Sequence, residues 1–252
     1  MKLKNLVKNT FFGKKRYQPF FRWLFDIAIE GLNIGVGGRE IYNSGETQAI
    51  EFAIQNEHDP IVFDVGAQGG KYFEYALKTN NNSIIYAFEP RSKDYSMLKK
   101  HYSNPNIHLV QSALGDMLST AKLYFHDEES GLSSLLLQNH PNHKSEEVKI
   151  DTIDNFCAQN KIRHISILKL DTEGYELSCL RGASKMLPNI NYIQFEMSIG
   201  SRNARAYFED IFNVLKDYKI YRILRDGLVQ INEPDKLSEL LFTTNFLAIR
   251  NK

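Results

Sequence analysis

Asp171 and Glu173 stand one residue apart, just after the apolar run Ile165-Ser166-Ile167-Leu168-Lys169-Leu170. The two-residue period of extended backbone puts both on one face. A third carboxylate, Glu196, ends the later run Asn191-Tyr192-Ile193-Gln194-Phe195-Glu196. Carboxylates grouped at strand ends can take the proton of an attacking alcohol, clamp acceptor hydroxyls, or ligate a hard cation such as Mg2+. Proton removal and acceptor binding are the simpler uses. Asp171, Glu173 and Glu196 are therefore the candidate catalytic residues, and no metal site is expected. Glu176, a little further on, reads more simply as a surface acid favoured by the dipole at a helix start.

A glycine-rich turn is the second chemical feature. Asp64-Val65-Gly66-Ala67-Gln68-Gly69-Gly70 closes the run that begins at Ile61. Glycine lets the backbone turn tightly and approach a ligand. A helix that follows such a turn offers free N–H groups to a carboxylate or phosphate. Glu89 ends the next apolar run, 23 residues beyond Gly66. There it can accept hydrogen bonds from both hydroxyls of an adenosine ribose. NAD uses a similar pair, but its G-x-G-x-x-G spacing counted from Gly66 needs glycine at 68 and 71, where this chain has Gln68 and Lys71. The loop suits a compact nucleoside better than a pyrophosphate. Ser112-Ala113-Leu114-Gly115-Asp116 ends a third run, and reads either as an adenine edge or as an ordinary surface turn. His140 and His143 lie in a polar stretch, 126–147, with Pro141 breaking the helix that would align them as metal ligands. That stretch reads as a polar loop, with a substrate lid and a general base at His140 as the sharper alternative.

These residues need elements to hold them at one edge. Helical spacing is expected over 46–57 with Ser44 as N-cap, and over 71–78, 94–102, 151–160, 174–187 and 204–215. Strands are expected over 61–65, 83–88, 107–112, 165–170 and 191–196, with a short extra strand at 122–125. Two late strands, 218–224 and 245–249, have no long helix between them and are expected to pair antiparallel at an edge. Strand and helix alternating in this way imply a doubly wound α/β domain with a mostly parallel sheet. Ligands in such sheets bind outside the carboxyl ends of the strands, where the residues above fall.

Bulk properties narrow the function. A formal net charge of +1 gives no electrostatic sign of a nucleic-acid partner. Two cysteines, Cys157 and Cys179, without Cys-x-x-Cys spacing, fit a reducing compartment and packing roles. No apolar run approaches the roughly 18 residues of a membrane span, and no signal peptide is read, so a cytoplasmic protein is expected. Residues 1–43 form a basic, aromatic extension and 44–252 the main domain. Within the extension, residues 1–22 carry lysine and arginine but no acid. They read as a solvated helix packed on the domain or, in the sharper alternative, as a peripheral arm on an anionic membrane.

Six blocks resemble the FkbM-type methyltransferases, within the class I S-adenosylmethionine-dependent fold. They are Phe63 to Gly70, Ala87 to Pro90, Ser112 to Asp116, Leu168 to Glu176, Leu180 to Ala183, and Asn245 to Ile249. The family's usual Asn is Gln68 here. The resemblance implies a Rossmann-like, seven-stranded sheet ordered 3-2-1-4-5-7-6 with one antiparallel strand. It implies S-adenosylmethionine as cofactor, held by Glu46, Asp64, Gly66, Gln68, Gly70, Glu89, Ser112 and Ala113, with Asp171 facing both the donor's methionine end and the acceptor. The implied activity is O-methylation of a hydroxyl on a glycan, glycolipid or small metabolite. A nicotinamide-dependent oxidoreductase and a non-catalytic module that keeps the fold are the alternatives.

Overall fold

The computed structural model describes residues 10–37, 40–125, 133–135, 144–240 and 242–251. Its first helix, α1 (Gln18–Gly31), is followed by α2 (Ile41–Ser44) and α3 (Glu46–Ile54). An alternating series comes next: β1 (Ile61–Val65), α4 (Lys71–Thr79), β2 (Ile84–Phe88), α5 (Ser92–His101) and β3 (Ile107–Val110). Three further strands, β4 (Ala113–Leu114), β5 (Ser119–Phe125) and β6 (Lys144–Asp151), precede α6 (Ile153–Asn160), β7 (Ile165–Leu170), α7 (Glu176–Arg181) and β8 (Ile190–Met197). The chain finishes with α8 (Ile199–Asn203), α9 (Phe208–Val214), β9 (Tyr218–Ile223), β10 (Leu228–Ile231) and β11 (Thr244–Arg250).

The main sheet runs β10-β9-β11-β8-β7-β1-β2-β3. Its centre, β8-β7-β1-β2-β3, is parallel, while β11 pairs antiparallel with both β8 and β9. The sheet therefore has eight strands rather than the expected seven, with the expected order kept and β10 added at the edge. The late strands pair antiparallel as expected, with β11 between β8 and β9, and β10 takes the edge beyond them. Leu228–Ile231 escapes sequence reading because only part of it is covered. It is a hairpin return after the turn at Asp226-Gly227, closed by Leu224 N–H donating to Gly227 O at 2.9 Å.

Central strands are buried on both faces, and β7 is buried at every residue, which explains its nearly unbroken apolar run. Alternate residues feed two cores. Phe63, Leu168, Phe195 and Phe246 pack on one side with α6, α7 and α9. Val62, Ile85 and Ile167 pack on the other with α3, α4 and α5.

A small second sheet, β4-β6-β5, stands beside the β3 end. It takes in the expected short strand, lengthened to 119–125, and its partner β6 starts at Lys144 inside the stretch read as loop. His140 and His143 lie outside the described residues. Other boundaries also move. Gly45, with φ 91°, holds the N-cap of α3 in place of Ser44. The expected helix over 204–215 shortens to α9, Phe208–Val214, and α8, Ile199–Asn203, precedes it. Helix α7 stops at Arg181, short of the expected 187, because Gly182 packs against the small sheet. A Cβ on Gly182 would sit 1.9 Å from Gly115 O. Gly182→Ala should therefore destabilise by about 1–3 kcal/mol through overpacking, read as a lower midpoint in urea.

Candidate active site

The carboxyl ends of β1, β2 and β7 meet at one cavity, lined by Gly66, Gln68, Glu89, Ser112, Ala113, Asp171, Glu173 and Tyr175 among others. Val65, Phe88, Leu114 and Leu123 supply apolar wall. Its mix of apolar wall with a few convergent polar groups is that of a small-molecule site.

At one end, Glu89 is held rigidly. Its Oε2 accepts from the backbone N–H of Gln68 at 2.9 Å, and its Oε1 from that of Arg91 at 2.8 Å. Gln68 has φ 45°, a left-handed conformation that turns its N–H toward Glu89. The contribution of Gln68 to this site is thus a backbone group. Burial pushes Glu89 up to about 7, against the pull of the two backbone N–H groups. Gly66 is required by space. With φ 85°, its Cβ would lie 1.9 Å from Asp171 O, just past the carboxyl ends of β1 and β7. Gly70, φ 81°, caps α4 outside the cavity lining. Ser112 lines the wall, but its hydroxyl already donates to Ala113 O and Lys149 O.

At the other end, carboxylate oxygens of Asp171, Glu173 and Glu196 lie within 4.8 Å of one another. This is an oxygen donor set that proton transfer, hydroxyl binding or a divalent cation can use. Glu173 sits at φ 53°. Its carbonyl accepts from Ser134 Oγ at 3.1 Å and leaves no room for a Cβ on Gly200, which would approach to 2.6 Å. Burial first, then the charges of Asp171 and Glu176, push Glu173 up to about 8. Burial, reinforced by Asp171 and Glu173, holds Glu196 well above the usual carboxylate range. Glu176 departs from the expected surface role. It is buried and accepts from Thr172 N at 2.8 Å, Thr172 Oγ1 at 2.9 Å and Gly174 N at 3.3 Å, shaping the rim.

Beneath the rim lies a group that sequence reasoning passed over. The Lys169 ammonium is 3.4 Å from Asp64 Oδ1 and 3.3 Å from Asp171 Oδ2, and lies over the Tyr72 ring at 5.0 Å. Burial works against its charge, but Asp64, Asp171 and Glu46 outweigh that and hold its pKa well above the ordinary value. Asp64 is fully buried and faces Lys169 rather than the cavity. Glu46 also sits behind the site. Its two oxygens accept from Gln194 Nε2 and Ser44 Oγ, each at 2.8 Å, and Gln194 in turn accepts from Tyr72 OH at 3.1 Å. The signals were present in sequence: a lysine and a glutamine inside otherwise apolar buried strands need partners. Cys157 and Cys179 are both buried, and burial pushes the Cys157 thiol up to about 12.

Residues 64–221 match the methyltransferase FkbM domain, more than half of the chain. The protein belongs to that family. The FkbM domain is a methyltransferase domain of the class I, S-adenosylmethionine-dependent fold. Curated relatives include the hexuronic acid methyltransferase AglP of Haloferax volcanii, 22% identical over 157 residues that cover 62% of this chain and 64% of that protein. Methyltransferase 1 of Beauveria bassiana is 28% identical over 145 residues, 49% of this chain and 58% of that protein. The chain thus spans less than two thirds of either relative. Among solved structures, the plantazolicin methyltransferase BpumL in complex with SAH aligns with a TM-score of 0.45 at 11% identity, covering 89% of this chain and 90% of that one. Human N-acetylserotonin methyltransferase in complex with SAM aligns with a TM-score of 0.40 at 10% identity, covering 83% and 52%.

In this FkbM domain Lys169 neutralises two carboxylates at once. Lys169→Met should cost about 3–5 kcal/mol, because it leaves buried charge unpaired. A urea denaturation series on the two proteins measures it. A loss under about 1 kcal/mol, the scale of an exposed pair, would show that Asp64 and Asp171 find other compensation.

Proposed function

We propose that the protein is an O-methyltransferase that moves the methyl group of S-adenosylmethionine to a hydroxyl of a carbohydrate-like or other small acceptor. The observation that carries the reading is one cavity running from the fixed carboxylate of Glu89 to the acidic rim at Asp171 and Glu173. Glu89 keeps free lone pairs beside its two backbone bonds and suits the ribose hydroxyls. Gly66 leaves backbone exposed beside it, and the Ser112-Ala113 wall suits the adenine edge. Bound there, S-adenosylmethionine supplies a methyl carbon made electrophilic by its sulfonium.

The chain's own task is then to align an acceptor and receive its proton. Alignment removes much of the entropic barrier. The acceptor oxygen bonds to the methyl carbon, the C–S bond breaks with its electrons kept by sulfur, and the hydroxyl proton passes to a rim carboxylate. Glu173 is the best base, since a group titrating near 8 combines basicity with a usable ionised fraction. Asp171 and Glu196 clamp acceptor hydroxyls. The rim is acidic and the ammonium beneath it is already engaged by Asp64 and Asp171. A neutral polyhydroxyl acceptor suits such a rim better than a carboxylated one, which sets the proposed acceptor apart from the hexuronic acid in the relative's name.

Glu89→Ala should abolish calorimetric binding of S-adenosylhomocysteine. Retained binding would remove Glu89 from the ribose role. With saturating donor, Glu173→Gln should lower kcat by about 10²–10⁴-fold with little change in donor affinity.

The direction of the pH effect follows from a raised carboxyl pKa. Below about 8 Glu173 is protonated and cannot act as a base. The wild-type kcat should rise with pH to a plateau just above 8, and that limb should vanish in Glu173→Gln. The same shift penalises the folded, ligand-free protein increasingly as pH climbs from the ordinary glutamate range to about 8. Glu173→Gln should therefore melt higher than wild type at pH 8.5 and draw level near pH 4. A free carboxylate base also predicts turnover that survives EDTA; loss restored by Mg2+ or Mn2+ would assign the rim to a metal instead.

A further inference from the structure

Helix α1 turns 100° per residue, which sets Phe20, Trp23, Leu24 and Ile27 at i, i+3, i+4 and i+7 on one stripe. Such a stripe ordinarily faces a core. Here the four side chains are 53%, 57%, 45% and 50% exposed. The contact with the body is made from another side of the helix, where Ile29 is buried and the Phe25 ring meets Phe242 at 6.1 Å. Phe11 and Phe12, just ahead of α1, are 40% and 51% exposed and extend the apolar surface.

Charge accompanies it. Residues 1–25 hold seven lysines and arginines and no acid. Lys14, Lys15 and Arg16 are exposed just ahead of the helix that carries the stripe. The two acids, Asp26 and Glu30, come later along α1, at 240° and 280° by the same turn angle measured from Phe20, on the Trp23 flank of the stripe, so the basic charge leads the stripe and the acids lie toward its C-terminal end.

We infer that α1 and the basic segment before it dock the protein on an anionic lipid surface. The stripe would enter the headgroup–acyl boundary, where tryptophan and phenylalanine are favoured, while the lysines and arginines meet lipid phosphates. A second copy of this chain is the poorer occupant, since it would bring one strongly basic segment against another. The root of α1 also connects to the catalytic side. Asn33 Nδ2 donates to Ser44 O and to Ile223 O, each at 2.9 Å, so the chain that leaves α1 is tied to the turn that holds Glu46. Docking here therefore fixes the catalytic domain relative to the lipid surface.

Trp23 is the only tryptophan, so its fluorescence reports the stripe directly. The full chain is mixed with phosphatidylcholine vesicles, with and without phosphatidylserine, and followed by co-sedimentation and emission maximum. Expected are pelleting and a blue shift with the anionic vesicles, both falling about tenfold or more between about 0.1 M and 1 M salt. The pair Phe20→Glu with Ile27→Glu keeps Trp23 and should abolish both signals, while leaving the thermal midpoint unchanged because neither side chain is buried. Lys14→Glu with Lys15→Glu should weaken binding and flatten the salt dependence. Absence of pelleting by wild type with an unchanged melting curve overturns the inference. So does a blue shift that grows with protein concentration alone, accompanied by a dimer mass in sedimentation, which would assign the stripe to self-association.

Discussion

The ammonium of Lys169 lies between Asp64 on β1 and Asp171 at the end of β7, inside a sheet covered on both faces. Asp64 is fully buried there, and Asp171 stands about a quarter exposed at the rim. The desolvation of Lys169 and Asp64 is large, and their mutual attraction offsets it only with close geometry. The ion triad therefore ties the adjacent strands β1 and β7 to one relative position at their carboxyl ends. That position is where Gly66 passes Asp171 so closely that no side chain fits. Donor loop and acidic rim are set by the same contact.

Local backbone conformation completes the site. Gln68 and Glu173 both adopt positive φ, which side chains other than glycine rarely do. Each is held by a partner that repays the strain. Gln68 N–H is bonded to Glu89, and Glu173 carbonyl is bonded to Ser134 and hemmed in by Gly200. The consequence is a cavity with a rigid acceptor of hydrogen bonds at one end and a crowded set of carboxyls at the other. Crowding and burial raise the proton affinity of Glu173 and Glu196. Carboxyls buried and crowded in this way lower the stability of the folded protein.

Helix α1 sits outside this economy. It contributes one buried residue and carries a broad apolar surface in solvent. Yet Asn33 at its root joins Ser44 and β9, so the extension is fastened to the catalytic domain at a defined place.

Much of this was legible in sequence. Apolar runs as short as Ile61–Val65 and Ile165–Leu170 can be satisfied only by strands buried on both faces, and the glycines and acids that follow them mark the ligand edge. That local logic determined the doubly wound class and the residues at the strand ends, while the strand order came from the resemblance to the family. It could not determine depth. Asp64 and Glu46 read as cofactor contacts, but the structure turns both toward a buried hydrogen-bond and ion network. Glu176 read as a surface acid, but backbone N–H groups draw it inward. Nor could it place β10 or join β5 to β6, since such pairings depend on segments far apart or only half covered. Whether a polar side chain faces ligand, solvent or an opposite charge is decided by partners brought together across strands. Only the tertiary structure supplies those, because the free energy of a buried charge depends on what lies within a few ångströms of it, not on its neighbours along the chain.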